Sequence, residues 1–328
     1  MYSDRALQCL PLEGRDSDHK FRSTAFRLWE ERASVRRKPQ RRLGEPHHGP
    51  YFSPELYPIS EHALVLGCGA GAPAFLLIRR LYDYLHFTTE LETQAVIPVA
   101  SMISRGRSGL PVSKSMRGDA YKIVTDEAWH AQFSYDLAED VCDATGVAQP
   151  ARRVAPAFLQ RLDGIRARVP AHLLGLEALL FSVVSETLIS GVLSELPRDE
   201  RLPNPVRDLI RDHAEDEGRH HAYFRTVLRA LWQVLTPPER LQVTVLVPSV
   251  IYAFLEPDYQ ETATALEAIG LSAGQIEQVI GETWPSEVVA RDVAAGASPV
   301  LRYLEDLDAF ESQCAVEAFA SAGLRDVR

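Results

Sequence analysis

Two stretches of this chain repeat one chemical arrangement: "DEAWH" at 126–130 and "DEGRH" at 216–220 each read Asp-Glu-x-x-His. Successive residues of an α-helix turn by about 100°, so Glu127 and His130 share one face, and so do Glu217 and His220. His213, four residues before Glu217, falls on that second face as well. A carboxylate oxygen beside an imidazole nitrogen is a ligand pair for a divalent metal such as iron or manganese. One Glu-x-x-His arises readily by chance, whereas two copies, each preceded by Asp, are far less accidental. The alternative reading of "DHAEDEGRHHAYF" (212–224), where three of ten histidines stand among four carboxylates, is a charged helix face in water.

Other elements must supply the rest of such a site. The seam Leu77, Leu81, Leu85, Thr88, Glu92, Val96 has helical spacing, and Glu92 interrupts its apolar face. Glu186 interrupts the seam Leu176, Leu179, Val183, Glu186, Ser190, Leu193 in the same way. A carboxylate on a buried stripe is expensive unless it is paired or metal-bound. No Lys or Arg falls on these seams, Arg219 being adjacent but off the face, and Glu90 lies about 200° round from Glu92. One Glu from each of two helices and one Glu-x-x-His from each of two others is the ligand set of carboxylate-bridged two-metal helix bundles. Glu92 precedes Glu127 by 35 residues and Glu186 precedes Glu217 by 31, so the halves read as two helix pairs related by a pseudo-twofold. Asp126 and Asp216 are placed to orient the imidazoles from behind. His213 is a third imidazole, either a further ligand or a packed histidine. Thr88, Val96, Val183, Ser190 and Phe224, a turn from the ligands, either line a substrate pocket or belong to plain core.

The remainder of the chain agrees with an all-α fold. From about residue 73 apolar residues recur at three and four, and alternating β signals are absent. Breaks fall at 105–114, 146–156, 168–171, 197–205 and 235–238. Asn204 is expected to cap a helix with Pro205 at its first position, and "TPPE" (236–239) carries a capping Thr236 with Glu239. Residues 1–50 read as a peripheral amphipathic helix, with Phe21, Ala25, Leu28 and Trp29 on one side, then a basic arm; residues 51–328 read as one helical-bundle domain. The run Arg36, Arg37, Lys38, Arg41, Arg42 is either a solvated segment or a dock for an acidic partner. "ALVLGCGAGAP" (63–73) imitates a nucleotide-binding glycine loop, but no strand series follows, so it reads as a connector.

Bulk properties close off several classes. A net charge of −10 argues against binding nucleic acid through a basic surface. The longest apolar run, 244–255, is too short to span a bilayer, so no membrane role is expected, and the polar N-terminus carries no secretory signal. Cys9, Cys68, Cys142 and Cys314 lie far apart, which suits a reducing cytoplasm.

With these residues in place, the chain resembles the p-aminobenzoate N-oxygenase (AurF-like) family of non-haem di-iron oxygenases. The likeness rests on "ELETQAVIPVA", "TDEAWHAQF", "SETLISG" and "DHAEDEGRHHAYF", in that order, within roughly residues 20–235. It implies a ferritin-like four-helix bundle core with additional peripheral helices, assembled as a homodimer. It also implies that Glu92, Glu127, His130, Glu186, His213, Glu217 and His220 bind two Fe ions (Mn being the less favoured metal). The expected activity is oxidation of a primary amine, arylamine or amino-acid-derived, toward hydroxylamine, nitroso and nitro products with O2, in natural-product biosynthesis. Such an enzyme needs an external electron donor, and its small-molecule substrate is either free or tethered to an acyl or peptidyl carrier protein. The alternatives are a di-iron hydroxylase or desaturase acting on carbon, and a non-catalytic metal-binding protein.

Overall fold

The computed structural model of the chain describes residues 21–151 and 155–325, with Ser190 and Val192 by backbone alone. The described residues are helical throughout and form no strand; one isolated bridge pairs Phe21 with Val112. The core helices are α1 (Ala72–Leu91), α2 (Ile97–Ser104), α3 (Lys114–Thr145), α5 (Leu176–Val192) and α6 (Asn204–Val234), and α4 (Ala157–Arg166) lies between the halves in sequence. Then follow α7 (Pro237–Leu255), α8 (Tyr259–Ala268), α9 (Ala273–Thr283), α10 (Ser286–Glu305) and α11 (Gln313–Ser321). The α1–α2 rod packs on α3, α5 packs on α6, and α3 meets α6 across the middle. These four rods enclose the centre, and α4, α7 and α10 cover α5 from outside. None of the described helices is long and apolar enough to cross a membrane.

Local chemistry explains the main boundaries. Ser113 accepts a hydrogen bond from the Met116 N–H at the start of α3, and Gly146, at φ 68°, ends it in the left-handed conformation that glycine tolerates. Thr236 and Glu239 form the expected capping box at α7. Asn204 does not act as the expected cap: it is the first residue of α6, and no side chain caps that end. The glycine-rich connector is a helical turn (Ala63–Leu66) and a bend through Gly69 at φ 115°, leading straight into α1.

The rod carrying Glu92 is not one regular helix. Residues Glu92–Val96 form a π turn, in which the Ile97 N–H reaches the Glu92 carbonyl five residues back. Pro98 supplies the cause. It has no N–H for the Gln94 carbonyl, and its ring would collide with that carbonyl in a regular α-helix. Widening the turn by one residue removes the clash, a device that recurs at functional sites.

The amino-terminal segment corrects the expectation of a continuous amphipathic helix. His19 and Lys20 lie outside the described residues; beyond them the chain makes turns and two short helical pieces, Trp29–Arg32 and Ser34–Arg37, separated at Ala33 with ψ 138°. The buried residues are Phe26, Trp29 and Ala33, while Leu28 is 42% exposed. The arm that follows is largely exposed but tied to the core by ion pairs. Lys38 pairs with Asp212 and Glu215, Arg41 with Asp212, and Arg42 with Asp140. Asp140 and Asp212 are buried, so these pairs hold the arm along α3 and α6 more firmly than exposed pairs would.

Candidate metal centre

Six of the seven predicted ligand side chains come from α1's π extension, α3 and α6, and the seventh, Glu186, from α5. All seven are buried. One ligand atom from each of Glu92, His130, His213 and Glu217 lies within 4.8 Å of the others, and the same holds for Glu127, Glu186, Glu217 and His220. Glu127 spans the two groups: its oxygens stand 2.7 Å from His130 Nδ1 and 2.7 Å from His220 Nδ1. Glu217 spans them as well, with Oε1 3.0 Å from His213 Nε2 and Oε2 3.5 Å from His220 Nδ1. Glu92 faces His213 at 3.7 Å, and Glu186 faces His220 at 3.5 Å.

The electrostatics of this cluster are those of a cation site. Both oxygens of Glu92 and both of Glu186 are buried without a hydrogen-bond donor. Native proteins rarely leave such groups unpaired, because each forfeits its hydration. Burial, with Glu127, Glu217 and Glu186 adding repulsion, pushes the Glu92 carboxyl well above the ordinary 4.5. Burial, Glu217 and Glu127 do the same to Glu186. Burial pulls His130 down, but Glu127 and Asp216 outweigh it and raise the ring to about 10. Burial and the neighbouring His130 lower His213, so its ring stays neutral. Four carboxylates balance the charge of two divalent cations, and carboxylate with imidazole suits iron or manganese. The donor set therefore fits a pair of metal ions.

Behind the imidazoles the two aspartates act crosswise. Asp216, on α6, receives His130 Nε2 from α3 at 3.1 Å. Asp126, on α3, receives His220 Nε2 from α6 at 3.2 Å. Each half of the pseudo-twofold thus orients the other half's histidine and leaves its Nδ1 turned inward. The amino-terminal segment completes this outer ring. Trp29 Nε1 donates to both oxygens of Asp126 at 2.9 Å, the Ser34 N–H donates to both oxygens of Asp216 at 3.2 Å, and Arg219 pairs with Asp216. Phe26 stacks on the His220 ring with centroids 5.9 Å apart. Sequence reading missed these partners, since Trp29 showed only an apolar face and Arg219 only an off-face position.

Of the predicted pocket residues, Thr88, Val96, Val183 and Phe224 are buried in the core, and the Ser190 side chain lies outside what is described. A cavity of about 370 Å³ is lined among others by Tyr84, Phe87, Phe158, Phe254 and Trp284. Tyr84, a lining residue, stands on α1 one turn before Thr88 and about two before Glu92. Its buried hydroxyl has no hydrogen-bond partner among the described residues. Burial, with Glu92 and Glu217 nearby, holds that phenol protonated. Residues of α7, α8 and α10 also line this cavity, so the chain after residue 235 contributes to it.

An all-α bundle with one Glu from each of two rods and Glu-x-x-His from each of two others defines the class of carboxylate–histidine two-metal bundle proteins. Within that class the chain belongs to the p-aminobenzoate N-oxygenase AurF family, which it matches over residues 26–308. The match continues well past the last of the sequence motifs. A 4-aminobenzoate N-oxygenase of Streptomyces thioluteus is 21% identical over 235 residues, covering 71% of this chain and 69% of that protein.

Proposed function

We propose that this protein is a di-iron amine N-oxygenase that takes an arylamine to its hydroxylamine and onward with O2. The observation that carries the reading is the pair of buried, donorless carboxylates, Glu92 and Glu186, facing three imidazoles within a fold of the N-oxygenase family. Glu92, His130 and His213 would hold one iron and Glu186 and His220 the other, with Glu127 and Glu217 lying between the two groups. When bound and reduced, the two irons supply the electrons that activate dioxygen. The first oxygenation places one oxygen atom in the N–H bond to give N–OH and releases the other as water, consuming two electrons and two protons from outside.

The protein's own residues do the rest. Asp126 and Asp216 fix the ring orientation of His220 and His130 and keep Nδ1 directed inward. Phe133 lies against both His130 and His213, with centroids 5.3 and 5.9 Å away, and keeps water from that side. The aromatic walls of the cavity at Phe87, Phe158 and Phe254 suit a flat ring, and Tyr84 lines the same cavity. The Tyr84 hydroxyl is the polar group placed to hold the amine or a proton leaving it.

The test is anaerobic loading with Fe(II), metal analysis, and exposure to ¹⁸O2 with a panel of arylamines and aliphatic amines. Two irons per chain and ¹⁸O on nitrogen of an arylamine are expected. Label on carbon would make the protein a hydroxylase, and iron uptake without any oxidised amine would make it a metal-binding protein.

A further inference from the structure

We infer that the cleft between the amino-terminal segment and α6 is the docking surface for an acidic one-electron carrier protein, through which the centre is reduced; this rests on the di-iron reading above. The cleft measures about 790 Å³. Its walls carry Arg27, Arg32, Arg37, Lys38 and Arg219 against two carboxylates, Glu31 and Glu215, in a chain whose net charge is −10. Lys38 is spent on Asp212 and Glu215, and Arg219 on Asp216. Arg27 and Arg32 are exposed and form no ion pair among the described residues. The exposed Leu28 and the half-buried Ala25 line the same cleft. Exposed apolar side chains beside unpaired arginines are the composition of a protein-binding surface, and the arginines select an acidic partner.

The position of the cleft is the second observation. Its floor at Arg219 joins Asp216, whose other oxygen receives His130 Nε2 at 3.1 Å. Its wall at Leu28 adjoins Trp29, whose indole donates to Asp126 at 2.9 Å, and Asp126 receives His220 Nε2 at 3.2 Å. A carrier seated here is therefore separated from two inward-facing imidazoles by one side chain, Arg219 or Trp29, and one carboxylate. The substrate cavity draws on other elements, α1, α4, α7, α8 and α10, so a docked carrier leaves it open. In each encounter the carrier gives up one electron and leaves oxidised. Two encounters reduce a ferric pair to the ferrous pair and supply the two electrons of one oxygenation.

The experiment compares the wild-type chain with Arg27→Glu/Arg32→Glu, two exposed positions outside the site. The probe is an acidic plant-type [2Fe–2S] ferredoxin. Binding is titrated calorimetrically at low and high salt on both iron-loaded and iron-free protein. Reduction of the iron-loaded form is followed by stopped-flow absorbance, with a neutral reduced phenazine as the small-molecule control. Ferredoxin binding and reduction should weaken about tenfold or more in the variant and fall with salt, while the phenazine rate stays unchanged. Equal binding and equal ferredoxin rates in the two proteins would overturn the docking surface. A chain that bound ferredoxin through these arginines but held no iron would overturn the di-iron reading and leave the docking surface standing.

Discussion

At the scale of single residues, the centre is held together as much by what stands behind the ligands as by the ligands. Trp29 touches no ligand atom directly, yet its indole N–H is bonded to both oxygens of Asp126 and thereby sets the His220 ring. Trp29→Phe keeps most of the packing and removes the donor. Metal affinity should fall roughly 10–100-fold, the range for outer partners of metal ligands, as read by chelator competition. Unchanged affinity would show that Asp126 is held without the indole. The carboxylates make a second prediction. Glu92 and Glu186 have raised pKa values in the metal-free fold, so they keep protons that the unfolded chain releases above its ordinary 4.5. His130, raised to about 10, keeps a proton that the unfolded chain loses above 6.5. Both signs agree: metal-free stability falls as pH rises, above about 4.5 through the carboxyls and from about 6.5 toward about 10 through His130. Glu92→Gln should flatten that slope in urea midpoints of the chelated protein. Metal binding needs the same groups deprotonated, so affinity should rise with pH over the same window. A slope unaltered by the substitution would mean Glu92 does not hold a proton in the fold.

At the scale of elements, the π turn at Glu92–Val96 decides which way Glu92 faces. Pro98 creates the need for it, and Ser182 on α5 donates to the Ala95 carbonyl within the turn at 3.3 Å. Pro98→Ala restores a donor to the Gln94 carbonyl and removes the ring clash. A regular helix then becomes accessible, turning the segment ahead of it by about one residue, or 100°. The expected outcome is loss of metal from the group containing Glu92, with stability kept or raised, read as metal per chain and thermal midpoint. Two irons per chain in that variant would show that packing, not Pro98, sets the turn. "ELETQAVIPVA" carried the proline in plain sight, but helical seams from Leu77 to Val96 concealed the extra residue because Glu92 lies where the turn begins. The amino-terminal pieces are interrupted for a related reason. Their break at Ala33 exists because the Ser34 N–H serves Asp216, a partner 182 residues away.

At the scale of the whole molecule, two halves that share a pattern close on each other, and metal should lock them together. Adding Fe(II) anaerobically should raise the thermal midpoint and chelation should lower it, since ions that bind only the folded chain stabilise it by mass action. The outer helices shape what can approach. Phe87→Trp narrows the cavity, so it should raise KM for bulky arylamines while leaving metal per chain at the wild-type value. A KM unchanged across the amine panel would place the substrate elsewhere. By itself the sequence determined the helical class and the ligand candidates, because periodicity and the repeated Asp-Glu-x-x-His are local and fixed by helix geometry. Only the tertiary structure decided that Asp126 serves His220 and Asp216 serves His130, that Trp29 and Ser34 stand behind these aspartates, that Lys38, Arg41 and Arg42 are spent on the chain's own acids, and that Tyr84 lines the cavity. Those pairings join residues far apart in sequence, and no spacing along one helix encodes which distant side chain will meet it.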